Sequence, residues 1–107
     1  MYELIHYQEQ GVDLFAKWLD GVNDRHAQAR IAARMVRLEN GNFGDCKPVG
    51  VGVWELRIDW GPGYRVYYAI ENKRLLLLCD GGDKRTQGAN IARAISRWKE
   101  WQTRSKK

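Results

Sequence analysis

The chain has 107 residues, 44% of them hydrophobic and 29% charged, which fits a single domain over residues 1–107 that buries a core without metal or disulfide staples. Its longest aliphatic run, Leu75-Leu76-Leu77-Leu78, falls far short of the roughly 20 residues of a bilayer span, and Glu3 and Glu9 stand where an export leader would be basic and then apolar. A cytoplasmic location is expected; Cys46 and Cys79 stand alone, and His6 and His26 are the only imidazoles, so no metal, cofactor or disulfide framework is suggested.

The net charge of +5 is unevenly placed. Residues 1–83 carry 10 basic and 12 acidic side chains, whereas residues 84–107 carry 8 basic and 1 acidic. A basic C-terminal quarter argues for an anionic partner, with nucleic acid first and an acidic protein or membrane surface second. A solvated tail accounts for the same charge.

Residues 2–7 are β-rich and begin a strand, after which Val12, Phe15, Ala16 and Leu19 recur at helical spacing up to Gly21. Asn23 or Asp24 can cap a second helix, with Ala27, Ile31, Met35 and Leu38 as its apolar stripe and Arg30, Arg34 and Arg37 on another side, ending at Asn40-Gly41. The glycines and Pro48 of residues 40–52 read as a loop. The period then changes to two: Trp54, Leu56, Ile58 and Trp60 share one face, and Val53, Glu55, Arg57 and Asp59 the other. Gly61-Pro62-Gly63 is a turn, and Tyr64, Val66, Tyr68 and Ile70 alternate with Arg65, Tyr67 and Ala69 in a hairpin partner strand. A three-residue loop would pair Trp60 with Tyr64, Arg57 with Tyr67 and Asp59 with Arg65.

Residues 75–79 form an apolar run suited to a central strand, closed by Gly81-Gly82. Thr86 can cap a last helix with an Ile91, Ala94, Ile95 and Trp98 stripe, among Arg93, Arg97, Lys99 and Arg104. The order β-α-α-β-β-β-α defines an α+β domain with a small, mainly antiparallel sheet, helices on one face and part of the other face open.

The hairpin puts Arg57, Arg65, Tyr67, Glu55 and Asp59 on one face, near Lys84 and Arg85 beyond the double glycine. Arginine holds phosphate through planar, bidentate donors but does not shuttle protons, so Lys84, with its ammonium form disfavoured by neighbouring Arg charges, is the first candidate for proton transfer. Glu55 and Tyr67 are weaker candidates. Alternatively, Arg57 and Arg65 simply pair with Asp59 and Glu55 on a solvated sheet face.

Three motifs in order carry a family resemblance: Gly52-Val53-Trp54-Glu55-Leu56-Arg57, then Gly61-Pro62-Gly63-Tyr64-Arg65-Val66-Tyr67-Tyr68, then Gly81-Gly82-Asp83-Lys84 with Gln87, Ile91 and Ala94. They resemble the RelE/ParE toxin superfamily, in its HigB-like, phage-derived addiction-module killer branch. The resemblance implies a RelE-like fold and the toxin of a type II toxin–antitoxin module, an endoribonuclease (mRNA interferase) that cleaves messenger RNA on the ribosome and inhibits translation. It implies 2′-hydroxyl attack on the adjacent phosphate without metal, and a helix-turn-helix antitoxin from an adjacent gene, bound in a hetero-oligomer. Arg65 and Lys84 match its basic positions best, Arg57 next, with Tyr67 and Glu55 behind them. Arg30, Arg34 and Arg37, with Arg85, Arg93 and Arg97, would meet ribosomal or messenger RNA. No Tyr or His follows Tyr68, where some members place a reacting group near the scissile phosphate. A ParE-like inhibitor of DNA gyrase and a non-catalytic nucleic-acid-binding module are the alternatives.

Overall fold

A computed structural model of the chain describes residues 2–72, 74–77 and 81–105. Its elements in order are β1 (Glu3–His6), β2 (Gln8–Glu9), β3 (Val12–Asp13), α1 (Leu14–Asp20), α2 (Arg25–Glu39), β4 (Cys46–Gly50), β5 (Val53–Ile58), β6 (Tyr64–Glu71), β7 (Arg74–Leu77), β8 (Gly82–Asp83), a 3-10 turn (Lys84–Thr86) and α3 (Gln87–Ser105). This is an α+β fold of the expected RelE-like kind. The main sheet runs β1-β7-β6-β5-β4, with β8 pairing part of β6, and β2-β3 forms a separate small ladder. The β1-β7 pair is parallel and the other described pairs are antiparallel.

The helices begin and end where the residues dictate. Asp13 caps α1 by accepting from the Ala16 amide at 3.0 Å, and Asp24 caps α2 by accepting from the His26 amide at 2.9 Å. Gly21 and Asn40 end these helices. The α2 stripe of Ala27, Ile31, Met35 and Leu38 is buried throughout. Ile31, Met35 and Leu38 pack with Phe15 against Leu56, Ile58, Val66 and Tyr68 of the sheet. Burying each large apolar side chain contributes roughly 1.5–3 kcal/mol before entropy is charged against it.

Five features differ from the pattern expected of the sequence. Val12, read with the first helix, lies in β3, paired with β2 ahead of the Asp13 cap. The segment read as a loop contains β4, an edge strand opposite β5 with an irregularity between Pro48 and Gly50. Proline lacks an amide donor and glycine breaks the alternation, so the strand has no periodic signature; an edge tolerates both. The hairpin register is shifted by two: Arg57 faces Arg65, Glu55 faces Tyr67 and Ile58 faces Tyr64, so Trp60 and Asp59 belong to the loop. An even shift leaves every side chain on its expected face.

Helices cover both faces of the sheet. The α3 residues Ala94 and Trp98 pack with Val53, Tyr67 and Ala69, on the face expected to stay open. Their burial demands an apolar partner, and the Val53-Ala69 side of the hairpin supplies it. Finally, Asp83, not Thr86, caps the entry to the last helical stretch: its carboxylate accepts from the Arg85 amide at 2.9 Å, while its own amide donates to Thr86 Oγ1 at 3.3 Å. β7 lies between β1 and β6, an interior position as expected, although Leu78 and Cys79 of that run fall outside the described residues.

Candidate active-site groove

Arg57, Arg65 and Lys84 come together. With Asp45, Asp59 and the Gly61-Pro62-Gly63 turn they line a polar groove of about 430 Å³ at the turn end of the hairpin. β5 and β6 set the two arginines directly opposite each other. Lys84 reaches the same groove because β8 pairs Gly82 with Arg65 and Asp83 with Tyr64. That approach requires glycine: a Cβ on Gly82 would lie 2.1 Å from Asn90 Oδ1. Gly81, at φ +45°, presses against Trp18, whose ring a Cβ would meet at 2.6 Å.

Two like charges opposed on a ladder repel, and each arginine is held by a different acceptor. Arg57 Nη2 donates to Asp45 Oδ1 at 2.8 Å, and this hydrogen bond raises the guanidinium pKa above its ordinary value. Arg65 Nη1 donates to the Gly63 carbonyl at 2.7 Å, and its Nε lies 3.7 Å from Glu55 Oε1. Arg65 is largely buried, its side chain 12% exposed, whereas Arg57 is 41% exposed. Lys84 is exposed on the groove wall.

Glu55 and Tyr67 do not stand on an open face: both are completely buried beneath α3. Glu55 Oε2 accepts from the Tyr67 hydroxyl at 3.0 Å and from Gln87 Nε2 at 2.8 Å. Its other oxygen lies 4.0 Å from Lys47 Nζ and 3.7 Å from Arg65 Nε, without a hydrogen-bond partner among the described residues. The carboxylate is thus a buried counter-charge behind Arg65, not part of the groove wall. A simple surface pairing of Arg57 with Asp59 and of Arg65 with Glu55 is therefore only half present: Arg57 pairs with Asp45, and Arg65 with Glu55 from beneath.

The remaining basic residues divide. Arg30, Arg34 and Arg37 line a second groove of about 370 Å³ that shares Ile58 and Asp59 with the first. Arg34 is engaged by the protein itself, donating to the Arg57 carbonyl at 2.9 Å and the Phe43 carbonyl at 3.0 Å. Burial, then the nearby Arg37 charge, lowers its pKa. Arg30 lies over the Trp60 ring at 3.9 Å, and Trp60 Nε1 donates to Asp24 Oδ2 at 3.1 Å, which ties the turn to α2. That hydrogen bond depresses the Asp24 pKa.

Arg85 is 83% exposed and pairs with Asp83 at 3.2 Å. The hydrogen bond from Arg85 holds the Asp83 pKa below its ordinary value. Arg93 lines a smaller hollow beside Gly82, and Arg97 lies against Tyr7 with Glu9 at 3.6 Å, so neither forms the groove wall.

Asp59, expected on this face, does line the groove, although it leaves β5. Three residues around the site have no such signal in the sequence: Asp45 and Lys47 sit in or beside β4, and Gln87, present in the third motif without a role, opens α3. Lys47 faces Glu55 across the ladder as an opposite charge, a relationship that appears only once β4 is recognised as a strand. Among the described residues, no group of three or more His, Cys, Asp or Glu side chains is arranged to hold a metal ion. No described helix is long and apolar enough to cross a membrane.

A basic α+β protein with three cations lining one groove, one of them backed by a buried carboxylate, is the class that this fold and groove define. The model of the family described as phage-derived protein Gp49-like (DUF891) matches residues 17–99, from α1 through most of α3. An uncharacterized protein of Haemophilus influenzae is 50% identical over 80 residues, 75% of this chain and 81% of that relative. The chain belongs to the Gp49-like family, a family of addiction-module killer proteins.

Proposed function

We propose that this protein is the toxin of a toxin–antitoxin module and acts as an mRNA endoribonuclease without a metal. The observation that carries the reading is the convergence of Arg57, Arg65 and Lys84 on one groove. A phosphodiester seated there meets two guanidinium groups and an ammonium. In the reaction the ribose 2′-hydroxyl loses its proton and bonds to the adjacent phosphorus. The bond from phosphorus to the 5′ oxygen breaks, and that oxygen takes up a proton, leaving a 2′,3′-cyclic phosphate and a 5′-hydroxyl end.

Arg65, with Arg57 beside it, stabilises the charge that develops on the non-bridging oxygens. Lys84 gives the leaving oxygen its proton, and Asp59, an exposed carboxylate of the same wall, receives the proton of the nucleophile. Glu55 and Tyr67 position Arg65 from behind. Arg30 and Arg37, in the adjoining groove, extend the cationic track for an RNA backbone engaged on the ribosome. A helix-turn-helix antitoxin silences the toxin by covering the groove.

Expression of the unsubstituted chain is expected to arrest growth and generate new messenger 5′ ends. Arg65→Gln and Lys84→Gln each lower cleavage by about 10²–10³. Growth arrest with intact transcripts and gyrase-linked DNA breaks would replace this reading with gyrase poisoning; salt-sensitive RNA binding without growth arrest would leave only a binding module.

A further inference from the structure

A hollow of about 500 Å³, larger than the cationic groove, lies on the opposite side of the same turn. Trp18 and Tyr64 form its aromatic wall, with Lys17, Arg85, Asp83 and Pro62 around it. We propose that it receives one nucleobase of the RNA strand whose phosphate occupies the groove; this rests on the ribonuclease reading above.

Three relationships support a strand passing from groove to hollow. Pro62 lines both cavities. Tyr64 and Arg65 are consecutive on β6, so their side chains point to opposite faces, one into each cavity. Lys84 and Arg85, also consecutive, divide in the same way. A nucleotide chain rounding the turn would leave a phosphate at Arg65 and Lys84 and a base beside Tyr64.

The two rings form a corner, and a base can stack on the face of either one. Trp18 and Tyr64 meet edge to face, with centroids 6.2 Å apart at 69°. Phe15 packs behind Trp18 at 5.9 Å, and Gly81 presses on the indole where any Cβ would collide. Both rings of the wall remain partly exposed. The volume suits a nucleobase with its ribose. Two cations against one carboxylate at the rim favour a ligand that is aromatic and anionic together, which describes a nucleotide better than the apolar side chain of a protein partner.

The test uses a hexanucleotide of 2′-O-methyl ribose, which lacks the nucleophile, carrying one 5-iodouridine moved through the strand. Irradiation is expected to crosslink one position to Trp18 or Tyr64; crosslinks confined to Trp60, or none, would overturn the proposal. An abasic residue at that position is expected to weaken binding about tenfold, with the difference lost in Trp18→Leu. Equal affinity of the abasic and intact strands for the unsubstituted protein would overturn it, whether or not Trp18→Leu folds, and is what a hollow reserved for a protein side chain would give. Failure of the ribonuclease reading shows separately, as intact transcripts in cells that express the unsubstituted protein.

Discussion

Arg65 and Glu55 form a layered pair in which the carboxylate is completely buried and the guanidinium, 3.7 Å away, opens toward the groove. An ionised carboxylate withdrawn from water is tolerable only where hydrogen bonds and opposite charge surround it. Tyr67, Gln87, Lys47 and Arg65 supply these from β6, α3, β4 and β6 again, so the fold and the groove share one electrostatic knot.

Glu55→Leu should therefore leave Arg65 without its counter-charge and Tyr67 without its acceptor, lowering stability by about 3 kcal/mol. Glu55→Gln keeps an acceptor for the two donors and should cost about half as much. Urea denaturation of both variants measures this, and equal stability of all three proteins would show that the carboxylate is a bystander.

Arg57 is restrained by Asp45 on the exposed side of the groove. In Asp45→Asn the guanidinium is released toward a bound phosphate, so single-stranded RNA should bind more tightly. The slope of log affinity against log salt should steepen by up to about one unit, the contribution of one further phosphate contact. An unchanged slope would place Arg57 outside the RNA path.

Tyr7 links the end of β1 to α3: its hydroxyl donates to Glu100 and accepts from Arg104 Nη2 at 3.0 Å. Burial, then the hydrogen bond to Glu100, pushes its pKa up to about 12 from 10.0. A raised folded-state pKa favours the protonated form in the folded protein. This stabilising contribution is complete below pH 10 and is lost as the pH rises toward about 12. Conversely, the Glu100 pKa is lowered, first by the Tyr7 hydrogen bond, so its contribution is present above the ordinary value of 4.5 and disappears at lower pH. Denaturation followed from pH 8 to 11 should show a steeper alkaline decline in the unsubstituted protein than in Tyr7→Phe.

Gly82 places Lys84, and Gly82→Ala should destabilise the protein by about 1–3 kcal/mol through overpacking against Asn90. The same variant should lose cleavage even at a temperature where circular dichroism shows it fully folded, because β8 no longer seats against β6. Full activity in a folded Gly82→Ala protein would detach Lys84 from the reaction.

Much of this was legible in the residues. The α2 stripe, a cap at Asn23 or Asp24, the two faces of the hairpin and the grouping of Arg57, Arg65 and Lys84 follow from periodicity and turn chemistry alone. β4 was not legible because Pro48 and Gly50 break its alternation. The hairpin register differs from the expected one because the Gly61-Pro62-Gly63 signal marks only part of a five-residue loop. Glu55 and Tyr67 read as solvent-facing because polar residues in a two-residue period ordinarily are; only the packing of Trp98 and Ala94 over that face shows that they are buried. Arg34 looks like its helix neighbours in sequence, yet two backbone carbonyls on other segments claim its guanidinium.

The chemistry of the cut ends distinguishes 2′-hydroxyl attack in this groove from any other route to a broken messenger. After a short induction, messenger 5′ ends should carry free hydroxyls opposite 2′,3′-cyclic phosphates, and both should disappear in the Arg65→Gln, Lys84→Gln double variant at equal protein level. New ends bearing 5′-phosphates, or hydroxyl ends that persist in the double variant, would contradict it.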